Sequence, residues 1–216
     1  MAKKKIKTPI KKADPMDKQL IWIIATMVIA ILCLLAIPII NNSKNTVKYD
    51  GLKFQKVKYG QLDVYYYPYQ FNYSGKSYGY NLYLRNDPSK SNVGVNGTIE
   101  YPVMGSKVYM SFDFINFANC DNSVREVTTL SLFLQGNLYS TNLSSPNITY
   151  AKQNNLTFAN CTSTKNMVVL LQSGNETRID RYNNCYVLSA ANCTDMLNVV
   201  EKFEVQSVAD ARKNNK

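Results

Sequence analysis

The stretch Leu20–Ile40, LIWIIATMVIAILCLLAIPII, decides how the rest of the chain is read. It carries no charge, and Thr26 is its one clearly polar side chain. At ~1.5 Å rise per residue a helix of this length reaches ~30 Å, the thickness of a bilayer's hydrocarbon core. A cleaved signal peptide would have an apolar run of ~7–15 residues ending at a small-x-small site, and Ala36-Ile37-Pro38 before Ile39 offers none. A buried core helix would show a polar stripe. The segment is therefore expected to be a retained transmembrane helix in contact with the lipid bilayer.

Three features set the expected orientation. Seven lysines precede the segment against Asp14 and Asp17, which favours a cytoplasmic N-terminus although further lysines follow from Lys44 onward. Four of the five cysteines lie beyond it. So do all the Asn-x-Ser/Thr triplets, at Asn41, Asn72, Asn96, Asn142, Asn147, Asn155, Asn160, Asn175 and Asn192, which are candidate glycosylation sites in an oxidising exterior. The expected localisation is the cell membrane, single-pass, with the C-terminal domain outside.

The net charge of +10 is shared between the tail and the outer part. A basic tail suits anionic headgroups, at about 1 kcal/mol per lysine near the surface, or acts as a topology signal. Nothing resembles a nucleic-acid reader, in which basic residues interleave with base-stacking or groove-reading elements. The chain has no histidine, which removes His-based triads, most catalytic zinc sites and imidazole pH sensing. No metal site, cofactor or catalytic set is implied.

Residues 1–19 read as a basic cytoplasmic tail and 20–40 as the membrane helix. Residues 41–106 form a Tyr-rich β segment: strands at 52–57, 62–67, 71–73 and 76–84, with Ser74-Gly75 as a hairpin turn, then 93–95 and 98–101 around Asn96-Gly97. Its tyrosines, from Tyr65 to Tyr83, suit a glycan or envelope-protein surface, and they equally pack well on a pleated sheet. Residues 107–216 read as an α+β domain. It begins with a strand at 107–114 and a helix at 122–135, which opens on a capping box at Ser123 and Glu126 and stops at Gly136. A polar loop over 137–164, with a weak strand near 148–151, leads to strands at 167–171, 177–182 and 185–189. A helix at 194–211 ends the domain, its inner face marked by Met196, Val199, Phe203 and Val208. The fold class is α+β: an N-terminal transmembrane helix, then a two-layer extracytoplasmic domain with a mixed β-sheet and two main helices.

Cys33 lies in the apolar helix as a filler or a helix–helix contact. Cys120, Cys161, Cys185 and Cys193 lack the close pairing of a structural zinc site. If 185–189 is extended, Cys193 is carried beyond the ~7 Å Cα separation a bridge to Cys185 allows. Cys120 and Cys193 each follow a strand and open a helix, whereas Cys161 and Cys185 each precede strands that two hairpin turns leave parallel. Like ends meet at one sheet edge if the strand at 107–114 is parallel too, and on that premise the expected bridges are Cys120–Cys193 and Cys161–Cys185.

Tyr49-Asp50-Gly51-Leu52-Lys53-Phe54, Leu84-Arg85-Asn86-Asp87-Pro88, Gly174-Asn175-Glu176-Thr177 and Cys185-Tyr186-Val187-Leu188 leading to Glu201-Lys202-Phe203 resemble the outer domains of uncharacterised single-pass surface proteins of archaea. The resemblance spans most of 47–208. It implies a membrane-tethered surface domain and assigns no functional residue. The function expected is binding or cell-envelope assembly without catalysis. The alternative is an envelope-anchored glycan hydrolase using paired carboxylates, for which Asp113 with Glu126 or Glu100 is the pairing to consider.

Overall fold

The computed structural model describes residues 15–100, 104–121 and 123–214, with side chains described for 19–33 and, within those ranges, for 45–213. The chain divides into two compact units, 1–45 and Thr46–Lys216. The tail before Pro15 and the Asn41 side chain lie outside the described residues.

In the first unit, α1 (Pro15–Lys44) is one continuous helix through the apolar stretch. Thr26 turns its hydroxyl inward to the Ile23 carbonyl at 2.8 Å, so even this polar group is satisfied locally. Leu20, Trp22, Met27, Ile29 and Leu32 are 60–73% exposed. Among the described residues no helix is long and apolar enough to cross a membrane. The side chains described, 19–33, cover ~22 Å of helix against the ~30 Å of a hydrocarbon core, so the expected span relies also on the sequence of 34–40.

The second unit opens with an antiparallel sheet of β1 (Thr46–Tyr49), β2 (Leu52–Tyr59), β3 (Leu62–Tyr73) and β4 (Lys76–Leu84), in that order. Its two-residue turns suit their residues: Asp50 and Gly51 have φ 45° and 80°, and Ser74 and Gly75 have 49° and 74°, the left-handed pair that matches strand twist. The strands expected at 62–67 and 71–73 are one: β3 runs through Pro68 for 12 residues. The Tyr73–Lys76 pair beside the turn exchanges hydrogen bonds, so the groups of Tyr67, Tyr69 and Phe71 face β4 and those of Pro68 face the other side. Pairing with β2 ends at Tyr66. The missing proline N–H therefore falls where no ladder bond is needed.

A 3-10 turn, Pro88–Lys90, capped by Asp87, leads to β5 (Gly94–Asn96). The hairpin expected about Asn96-Gly97 does not form: 98–100 is not a strand, and β5 pairs instead with a distant strand. Then follow β6 (Lys107–Phe112), α2 (Ser123–Gly136), β7 (Ser140–Ser145), α3 (Ile148–Gln153), β8 (Thr157–Phe158), β9 (Met167–Ser173), β10 (Arg178–Tyr182), β11 (Cys185–Ala190) and α4 (Asp195–Asn214). The stretch 137–164 is thus structured, and 148–151 is helical rather than a strand. Asn147 accepts the Tyr150 N–H with its side chain, capping that turn.

The strands build a seven-stranded mixed sheet, β5-β10-β11-β9-β6-β7-β8, with β11, β9, β6, β7 and β8 parallel and β10 reversed. Beyond α1 the described residues hold the two main helices expected, α2 and α4, together with a short third, α3. The domain also has more than two layers, because α4 is covered on both sides. Phe203 packs on Tyr186 of β11, while Lys202 and Gln206 bond Tyr49 of β1. Leu52 and Phe54 of the small sheet share one core with Val108, Phe133, Leu188 and Phe203, so residues from 41–106 and from 107–216 are buried together.

The capping box is replaced by other contacts. Ser123 N–H donates to the Cys120 carbonyl at 3.1 Å, and Glu126 is buried against Arg125 at 2.7 Å. Disulfides join Cys120 to Cys193 and Cys161 to Cys185, with Cα separations of 5.5 and 5.2 Å. Cys33 is free and exposed.

Candidate functional site

Helix α4 organises the site. Its apolar positions face the large sheet, as the helical spacing predicts, but its opposite, polar face is buried too, under the small sheet. Glu201 accepts the backbone N–H groups of Arg85 and Asn86, one on each carboxylate oxygen. Burial pushes its acid up to about 7, against the lowering effect of those amides. Lys202 places its ammonium over the Tyr49 ring, 4.5 Å from the centroid, and donates to the Tyr49 hydroxyl at 2.7 Å; burial lowers its pKa. Glu204 is fully enclosed, Oε1 has no partner, and burial holds it well above the carboxylate range. Asp210 accepts the Ile99 N–H at 2.9 Å.

Two clefts flank this helix. The first, about 440 Å³, lies between the end of β4, the 3-10 turn and the N-terminal half of α4, with Asn86, Asp87, Asp195, Asn198, Glu201 and Lys202 on its walls. Most of its polar groups are engaged with one another, and the buried Ser91 Oγ is left without a partner. Asp195 accepts from Thr177 and Asn192 at 2.8 Å and from Asn198 at 3.1 Å, and Asn86 donates to Asn198 at 3.0 Å. The bonds of Arg85 and Asn86 to Glu201 and Asn198 tie the small sheet to α4.

The second, about 400 Å³, has walls from β3, the α2–β7 turn and the C-terminal end of α4. Tyr67, Tyr69 and Phe71, alternate residues of β3, present a row of half-buried rings with centroids 6.1 and 6.2 Å apart. Tyr69 donates to Asn137 Oδ1 at 2.9 Å, and Asn137 donates to the Phe133 carbonyl at 2.8 Å, which fixes the ring. Burial raises the acid of Tyr69 and of the neighbouring Tyr139, so both hydroxyls are neutral donors. Arg212, near the end of α4, donates to the Tyr67 hydroxyl at 3.1 Å and to the Gly51 carbonyl at 3.4 Å. This cleft combines flat apolar faces, hydroxyls, amides and a cation, the makings of a binding site rather than of a reaction centre.

The carboxylates considered from sequence are dispersed. Asp113 accepts from Asn116 at 3.2 and 2.6 Å, Glu126 is paired with Arg125, and Glu100 with Arg181 at 2.7 Å. None of the three lines either cleft. Beside Asp113, where β6 and β9 send their connections in opposite directions, open sheets usually leave a crevice. Here the Asp113 N–H bonds the Leu171 carbonyl at 3.0 Å and Phe112 stacks on Phe117. Among the triplet asparagines, Asn72, Asn96, Asn147, Asn155, Asn175 and Asn192 are exposed, and Asn142 and Asn160 are half-buried. Among the described residues no group of His, Cys, Asp or Glu is placed to hold a metal ion.

The sequence assigns no site role to Glu201, Lys202, Glu204 or Arg212, although Glu201 and Lys202 stand in a motif of the resemblance, because charges opposite an apolar helical stripe normally face water. The one available signal was their number on a single face. No family model matches the chain, and neither a curated protein nor a solved structure matches it.

Proposed function

We propose that the chain is a single-pass, membrane-anchored surface protein whose outer domain binds an envelope component in the tyrosine cleft. The observation that carries the binding half of this reading is the ring row Tyr67–Tyr69–Phe71 on a cleft of about 400 Å³. Sites of this size lined by aromatic faces with a few fixed polar groups are the usual form of a ligand site. The anchoring half draws on the uncharged run 20–40, on the exposure of its apolar side chains in α1, and on two disulfides of the kind that persist in oxidising compartments.

Fractionation tests the location. After alkaline extraction the chain is expected in the membrane pellet, and protease added to intact cells is expected to remove the domain beyond residue 45. Recovery in the soluble fraction, or full protection in intact cells, would reject the anchor or its orientation. Binding is tested by sedimenting the detergent-solubilised chain with purified envelope material. Phe71→Ala is expected to reduce the bound fraction, and an unchanged fraction would remove the cleft from the account.

A further inference from the structure

We infer that the tyrosine cleft takes an acidic saccharide, a glycan bearing uronate-type carboxylates, with Arg212 as the residue that recognises the acid group. The inference rests on the binding reading above and names its ligand class.

Charge is the first argument. Arg125, Arg178 and Arg181 each hold a carboxylate, and Lys213, beside Arg212, is paired with Asp50 and Asp210. Arg212 has no carboxylate partner among the described residues and spends one nitrogen on two neutral oxygens. A guanidinium fork with donors to spare at the mouth of a cleft is matched to a planar carboxylate.

Shape is the second. Three half-buried rings on alternate positions of one strand, with centroids 6.1 and 6.2 Å apart, form an aromatic wall of the cleft against which successive pyranose rings can pack. Gln70 and the Tyr67 hydroxyl, which accepts from Arg212, stand beside them as hydroxyl-bonding groups. A peptide adding itself as a strand beside β3 would instead need backbone donors, and Pro68 removes one on the side that β2 has left.

The experiment titrates the full chain in detergent micelles with an oligogalacturonate and with a neutral oligosaccharide of equal length, followed by calorimetry. The expected result is at least tenfold tighter binding of the acidic chain. Arg212→Gln is expected to abolish that preference while retaining neutral binding. Phe71→Ala is expected to weaken both, and Lys90→Gln, which removes a charge outside the tyrosine cleft, to leave the preference intact. Near-UV circular dichroism verifies the fold of each variant. Equal affinity for the two saccharides overturns the acidic assignment and leaves the cleft reading standing. Preference unaffected by Arg212→Gln overturns the role of Arg212. Binding of an acidic peptide but of neither saccharide overturns the ligand class. Failure of the membrane reading shows separately, in the fractionation.

Discussion

Gly136, the last residue of α2, lies against the ring of Tyr80 from β4: a Cβ added at Gly136 would stand 2.1 Å from Cε2 and 2.4 Å from Cδ2. The ring cannot step aside freely, because it packs edge-on against Phe133 at 5.9 Å. In an exposed helix Gly→Ala would stabilise by roughly 0.5–1 kcal/mol, whereas overpacking costs typically 1–3 kcal/mol. Gly136→Ala is therefore expected to lower stability by about 1–2 kcal/mol in urea unfolding. Combined with Tyr80→Ala the two losses should not add, since the clash goes with the ring.

Glu201 gives a pH dependence with a defined sign. Its folded acid, at about 7, lies above an ordinary value of 4.5. Between those values the folded state holds the proton more tightly, so the contribution is complete below about pH 4.5 and is lost as pH rises through 7. The loss amounts to roughly 3 kcal/mol at ~1.4 kcal/mol per pH unit. Urea midpoints measured from pH 4.5 to 8 should fall more steeply in the parent than in Glu201→Gln. The salt-bridged Glu100 and Asp63, whose acids are lowered, act in the opposite sense and below that window.

Glu204 is buried at 1% exposure with Oε1 unpartnered. Keeping it neutral, or charged without a partner, costs free energy that an apolar side chain of similar length would not incur. Glu204→Met is expected to raise stability by about 1–2 kcal/mol at pH 8, read as a higher midpoint of thermal unfolding. A drop would mean that the carboxyl makes a bond essential to the fold.

The two disulfides should differ in weight. They close loops with sequence separations of 73 and 24 residues, for which loop entropy gives about 4.4 and 3.4 kcal/mol. Replacing Cys120 and Cys193 by alanine should therefore cost about 1 kcal/mol more than replacing Cys161 and Cys185. Denaturant unfolding of the two double variants makes the comparison.

Several elements were legible because their causes are local. The helical spacing at Met196, Val199, Phe203 and Val208 locates α4, and Ser74-Gly75 locates the β3–β4 turn. Two chain reversals leave β9 and β11 parallel, the premise that places Cys161 beside Cys185, although only the second is a hairpin: β11 lies between β9 and β10 and pairs with both. The helix at 148–153 escaped notice because its apolar content is low and its one cue, the Asn147 cap, looks the same as any loop asparagine.

By itself the sequence determined the uncharged run 20–40, the absence of histidine, the placement of most strands, and the residue types available for any chemistry. These follow from composition and from periodicities of 2 and 3.6, which act over a few neighbours. The burial of α4's polar face, the approach of the Tyr80 ring that favours glycine at 136 and the convergence of Tyr69, Asn137 and Arg212 on one cleft were decided only by tertiary structure. They depend on a second sheet closing over a helix already packed on the first, a contact between segments more than 100 residues apart in places. No local pattern encodes which of two faces a distant sheet will cover.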